Sequence, residues 1–248
     1  MLPVAVVGVS IVDFSIAVAT GVALGLASTL LSSIYLHRGL AHNLVVYRRP
    51  LERCFRILTT WALGINARKW VAIHRLHHAH SDTRRDPHSP RFYSGLEILR
   101  TGKMLRTFPD SRAAALASDI PDSSSLAPTI GPGVVLGALL LQLGAGYGIL
   151  AGLAWVLVSK VSGSGIALWC HRHKQEGRPI YESINRPRLA LITWGESLHA
   201  NHHSDPRRLN LGDSHVADPG YLCVQIMARA GLATIDDDCA TTRECDVQ

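Results

Sequence analysis

The chain is short of charge, of paired cysteines and of basic residues near its start. Asp, Glu, Lys and Arg make up 18% of its 248 residues, too small a share for a segment kept unfolded by polarity and self-repulsion. The five cysteines (Cys54, Cys170, Cys223, Cys239 and Cys245) are scattered, odd in number and without a CxxC pair, which speaks against a secreted disulfide framework. No Lys or Arg precedes Arg38. A secretory signal peptide opens with a basic region, so the first apolar stretch does not read as one. The same gap confines the net charge of +6 to particular faces of the chain, and no nucleic-acid partner is expected. Internal repeats and low-complexity tracts are lacking as well. Twenty-one arginines against four lysines fit a GC-rich bacterial genome.

What the sequence does have is long apolar blocks. Phe14 to Leu36 runs without a charge, and a membrane-crossing helix needs about 20 such residues. Ala127 to Ser159 is also uncharged, and after Lys160 the apolar run goes on to Cys170. That block is too long for one crossing and too short for three. Gly144, Gly146 and Gly148 near its middle suit the turn of a helical hairpin. Residues 3–36 admit a second reading, a shallow hairpin bent near Asp13, but a single crossing is preferred. Leu51 to Ile65 carries Glu52, Arg53 and Arg56 on an apolar background and reads as an interfacial or half-buried helix. The Arg-rich segments 37–125 and 171–248 belong on the cytoplasmic side by the positive-inside rule. The expected fold class is therefore all-α: one domain over residues 1–248, multi-pass in the cell membrane. Its spans lie near 14–36 and 127–170, under a cytosolic helical cap made of the two polar segments.

The histidines carry the main chemical signal. Three short windows, HRGLAH at 37–42, HRLHH at 74–78 and HANHH at 199–203, hold eight of the thirteen, where uniform scatter would leave roughly one. In HxxHH the histidines fall at i, i+3 and i+4, on one face of a helix. His74, His77 and His78 are thus expected to converge on one point, as are His199, His202 and His203. His37 and His42 are five apart, a spacing that a regular helix turns away, and Gly39 between them lets the helix loosen or end. Imidazole binds Zn, Cu, Fe and Ni, and eight imidazoles exceed the needs of one four-coordinate zinc. Two metal ions of higher coordination number fit the count. Solvated loop histidines, or a pair of haem ligands facing each other inside the bundle, account for the clustering poorly.

These windows, read as HRGLAH, then WVAIHRLHHAH and TRRDPHSP, then GESLHANHH, resemble the membrane fatty acyl desaturases of the stearoyl-CoA type, and most closely their bacterial members. The resemblance runs from about Tyr35 to Arg208. It implies membrane helices under a cytosolic cap that holds a di-iron site, two Fe ions, which use O2 to take hydrogens from a long acyl chain and leave a cis double bond. The ligands implied are His37, His42, His74, His77, His78, His199, His202 and His203, with His171 or His173 as a ninth. The family also carries an asparagine four residues before that ninth histidine. Here Ala167 or Trp169 stands in its place, a departure that bears on one iron and on the outcome of the reaction.

Around the ligands, Glu196 and Asn201 are expected to support the imidazoles, Glu196 by accepting a ring N–H or else as a carboxylate at a helix start. Trp70 matches a family tryptophan beside the acyl tunnel, or anchors the chain at the interface. Asp86 and His88 in DPHSP are read as loop structure or support, and His80 and His215 as surface histidines. The implied partners are a long-chain fatty acyl substrate (acyl-CoA, acyl-lipid or acyl carrier protein thioester), O2 and the lipid membrane. With no HPGG-type cytochrome b5 segment and no flavin fingerprint, electrons must come from a separate ferredoxin, cytochrome or reductase. Hydroxylation, acetylenation or oxidative decarboxylation of an acyl chain is the alternative on the same scaffold. A metal transporter would place its ligands inside the spans, where only Asp13 and Lys160 are ionisable.

Overall fold

The computed structural model describes residues 10–122, 126–173 and 181–236. Ser10 caps the first helix, its side chain accepting the N–H of Asp13. The helix α1, Ile11–Leu31, then runs without a break into a π-helical stretch, Ser32–Ala41. No bend occurs at Asp13. Its 31 residues extend roughly 46 Å at 1.5 Å each, against a hydrocarbon layer of about 30 Å. The helix is therefore longer than a crossing requires, and His37 lies in the excess at its far end.

After β1, Val45–Tyr47, the helix α2, Arg49–Ile57, continues as a second π-helical turn, Leu58–Ala62. None of α2 is buried, and Ile57, Leu58 and Trp61 are exposed, the surface amphipathic segment expected from the sequence. The helix α3, Ala67–His80, is capped by the Asn66 side chain. The short helices α4, Gly95–Leu99, α5, Thr101–Thr107, and α6, Asp110–Leu116, complete the first polar segment.

The second apolar block is a hairpin of α7, Ala127–Leu143, and α8, Ala145–Ser159, the latter prolonged by a π-helical turn, Lys160–Ser164. Of the three glycines in this region, Gly144 makes the turn, with φ at +77°. The apolar run does not continue as one helix to Cys170: it turns at Gly165 into the short α9, Ile166–Trp169. Among the described residues two helices, Ile11–Ala41 and Ala145–Ser164, are long and apolar enough to cross a membrane, whereas α7 is shorter.

Small residues let these helices close on one another. Ala17, Gly21 and Gly25, four apart on α1, face α8, where a Cβ on Gly21 would overlap the Ala151 carbonyl and one on Gly25 would lie 2.5 Å from Val158. Such stripes of small residues allow close backbone approach between helices. Higher up the contact is polar: Thr29 and Ser162 hydroxyls bond at 2.6 Å, and Trp155 Nε1 donates to Ser28 Oγ at 2.9 Å.

Beyond α9 come β2, His171–His173, and β3, Tyr181–Ser183, then α10, His199–Ser204, α11, Pro219–Arg229, and β4, Ala233–Ile235. The strands form two antiparallel pairs, β1 with β4 and β2 with β3. The fold is mostly helical, and these two small pairs correct the all-α expectation. Each needs a partner remote in sequence or a hairpin of three-residue strands, too short for a period-two pattern to register.

Candidate metal centre

All three histidine windows meet, but each HxxHH divides. The imidazole nitrogens of His37, His42, His74, His78 and His202 lie within 4.8 Å of one another, and those of His77, His171, His199 and His203 form a second such group. The convergence of each window on a single point is thus corrected. At about 100° per residue, i and i+4 differ by roughly 40° one way and i+3 falls roughly 60° the other way. His74 and His78 therefore serve one group and His77 the other, and α10 repeats the split with His199 and His203 against His202.

The five-residue step from His37 to His42 is met by pitch. The N–H of His42 donates to the carbonyl of His37 at 3.1 Å, the i to i+5 bond of a π-helix. The two rings come to rest with centroids 4.8 Å apart. The helix loosens around Gly39 and does not end there.

The Nε2 atoms face one another closely. His37 and His202 are 3.0 Å apart, His42 and His74 2.9 Å, and His78 and His202 2.8 Å. In the second group His77 and His203 are 3.1 Å apart, His171 and His199 3.1 Å, and His199 and His203 3.0 Å. Metal–imidazole bonds of about 2.1 Å at right angles would set neighbouring nitrogens about 3 Å apart.

Carboxylates set the tautomers from behind. His77 Nδ1 donates to Asp86 Oδ2 and His171 Nδ1 to Asp82 Oδ2, each at 2.8 Å. Their Nε2 lone pairs are thereby turned inward. His37 Nδ1 lies 2.7 Å from Glu196 Oε2. Burial, and then the neighbouring imidazoles, push the basicity of the rings down. His78 falls to about 4, His203 to about 3 and His42 to about 2, and His74, His77, His199 and His202 fall well below the usual histidine range. Buried, inward-facing acceptor nitrogens grouped in this way could hold a cation.

A buried ion network fixes the first group. Arg38, 2% exposed, donates to Glu196 Oε1 at 2.6 Å and to Asp218 Oδ2 at 2.9 Å, and also bonds Ser33. Burial alone would raise the Glu196 carboxyl, but His37 and Arg38 hold it down at about 2. Asp218 also accepts from the N–H groups of Leu211 and Tyr221, capping α11.

Several expectations about single residues resolve here. Glu196 stands in the turn before α10, against His37, and not at a helix start. Among the described residues Asn201 bonds no imidazole: its Oδ1 accepts from Asn185, 2.8 Å away, and its Nδ2 donates to the Leu211 carbonyl at 2.7 Å. Asn185 Oδ1 in turn accepts the N–H groups of Ala200 and Asn201, so this pair orients α10. His171 joins the second group, while the side chain of His173 lies outside the described residues. Ala167, four residues before His171, lines the adjoining cavity with a methyl group, and Trp169 instead donates to the Val161 carbonyl. Asp82, Arg38 and Asp218 escaped the sequence reading. Their partners lie up to 180 positions away, and a lone carboxylate or arginine gives no local signal.

The cavity has a volume of about 630 Å³ and lies against both groups, reached by His37, His74, His77 and His199. Trp70 lines it and stacks on His74, with centroids 5.1 Å apart and planes 11° apart. Below, its wall is apolar, with Leu136, Ile149, Leu153 and Val156, a size and lining suited to a hydrophobic ligand.

These features define a mostly helical protein with two imidazole-rich groups that could hold metal ions, beside an apolar cavity. The chain belongs to the fatty acid desaturase family, whose family model matches residues 14–210. Among its relatives, it is 28% identical over 211 residues to acyl-CoA 5-desaturase of Anemone leveillei, covering 80% of this chain and 64% of that protein. It is 27% identical over 241 residues to sn-1 stearoyl-lipid 9-desaturase of Anabaena variabilis, covering 93% and 83%. It is also 27% identical over 229 residues to hex-5-enoyl-(acyl-carrier protein) acetylenase of Moorena producens, covering 81% and 70%. The chain spans 64% of the length of the plant relatives it matches first.

Proposed function

We propose that this protein is a membrane desaturase that uses O2 to introduce a cis double bond into a long-chain fatty acyl substrate. The observation that carries the reading is the pair of imidazole groups, with Nε2 separations of 2.8 to 3.1 Å, at the wall of an apolar cavity. Two irons are the metal of choice for the family, and imidazole suits them. The donor set fits: His37, His42, His74, His78 and His202 would hold one ion, and His77, His171, His199 and His203 the other. When bound, the irons supply the oxidising power, drawn from O2, that removes two hydrogens from the acyl chain.

The residues of the chain do the rest. Asp86, Asp82 and Glu196 hold rings in the tautomer that offers Nε2. The apolar wall excludes water and aligns methylenes beside His37, His74, His77 and His199. Trp70 keeps the plane of His74. Electrons come from a separate ferredoxin, cytochrome or reductase. The chain crosses the cell membrane with α1 and the α7–α8 hairpin, and the histidines lie on the cytoplasmic side. In support, the apolar windows of Ile11–Ala41 and Ala145–Ser164 are only 22% and 28% covered by protein. Reporters fused after Thr83 and at Gln248 should both read cytoplasm, and opposite sides would refute this topology.

A second reading, acetylenation or hydroxylation at the same site, is favoured by one feature: Ala167 cannot hydrogen-bond a water at the second group, where the family has an asparagine. Expression with a competent electron donor, followed by mass spectrometry of derivatised fatty acids, separates the two. A monounsaturated chain lacking two hydrogens supports desaturation, and a dominant product with an added oxygen, or with four hydrogens lost to a triple bond, overturns it.

A further inference from the structure

The cavity wall is apolar along α7 and α8 until Ser159 and Lys160 interrupt it. Lys160 is half-buried. Among the described residues it has no ion-pair partner, and the charge acting on it is another cation, Arg106 on α5. Ser159 Oγ is buried without a hydrogen-bond partner. Neighbouring hydroxyls are already engaged: Thr29 with Ser162, and Ser28 with Trp155 and the Leu24 carbonyl. An ammonium can only donate, and a buried hydroxyl left unpaired is costly. Adjacent on the cavity wall, between the apolar side chains of α8 and the engaged hydroxyls of Ser28, Thr29 and Ser162, they call for a ligand group rich in oxygen and negative charge.

We propose that Ser159 and Lys160 form a subsite for the carboxylate end of an amphiphile whose hydrocarbon tail lies in the cavity. The subsite rests on the acyl-substrate reading above and adds the place where the polar end is held. Thr29, bonded to Ser162 two residues after Lys160, stands eight residues before His37, about 12 Å along a helix. The subsite is thus distinct from both imidazole groups, yet one acyl chain can reach from it to them.

The test is binding, which needs no metal. Purified full-length protein in phosphatidylcholine nanodiscs at about pH 9 is loaded with tritiated palmitate, and unlabelled palmitate or methyl palmitate competes. The wild type should bind the acid at least tenfold more tightly than the ester. Lys160→Met should abolish that preference, Lys160→Arg should retain it, and Ser159→Ala should weaken palmitate severalfold. Equal binding of acid and ester by the wild type overturns the subsite and leaves Lys160 as an interfacial cation reaching for lipid headgroups. A preference that survives in Lys160→Met overturns it as well. Preference for the acid without desaturase activity would keep the subsite and sink the catalytic reading, and activity without the preference would do the reverse.

Discussion

The N–H of His42 donates to the carbonyl of His37 across five residues, at 3.1 Å, where an α-helix would bond across four. That single change of pitch brings both rings to the same metal group. One alanine inserted after Gly39 would carry His42 about 100° further round the helix. Iron per chain should then fall from about two to about one, with the His77 group retained. Elemental analysis of the purified variant decides it, and an unchanged iron content would remove the π-helix from the account.

The carboxylates behind the rings are expected to act at a distance from the metal. Asp86→Asn and Asp82→Asn should each weaken the second site by about 10–100-fold, and Glu196→Gln the first by a similar factor. Titration of apo-protein with ferrous iron measures each effect. Asp86 also accepts the N–H group of Asp82 at Oδ2 and that of His88 at Oδ1, and asparagine keeps one of those two acceptors, so thermal stability of the variant is measured beside its affinity. Wild-type affinity in all three would contradict the assigned tautomers.

Acidification should destabilise the metal-free protein. His78 and His203 titrate at about 4 and about 3 when folded, against about 6.5 unfolded. The unfolded chain therefore takes up more protons as pH falls below about 6.5, and stability drops down to the folded values. The denaturation midpoint of apo-protein should fall between pH 7 and pH 5, and His78→Asn should flatten that slope. A midpoint that rises over this range would reverse the sign and refute neutral, buried rings.

The packing of α1 on α8 predicts intolerance at Gly21, where a Cβ would overlap the Ala151 carbonyl. Gly21→Val should cost about 1–3 kcal/mol or more through overpacking. Gly137, with nothing near its Cβ position, should accept alanine freely. Thermal stability in detergent compares the two. Equal tolerance would mean that α1 and α8 do not meet as described.

Much of this was legible in the sequence, for identifiable reasons. A charge-free run marks α1, and Gly144 marks the α7–α8 turn, because length and backbone freedom are local properties. The density of the histidine windows pointed to the clusters that the fold brings together. Their division between two groups was not legible, since i+3 and i+4 share a face and diverge only when two sites lie on either side of it. Nor was the π pitch, which no residue of HRGLAH other than Gly39 announces. Asp82 with His171 and Arg38 with Asp218 join distant segments, so only the folded chain reveals them.

The most direct test is a metal count in three proteins. The wild type should hold about two irons per chain. His202→Ala should lose the ion of the five-imidazole group and His77→Ala that of the four-imidazole group, each keeping about one. A wild type that binds a single ion, or a variant that keeps both with full activity, would contradict two centres built from shared histidine windows.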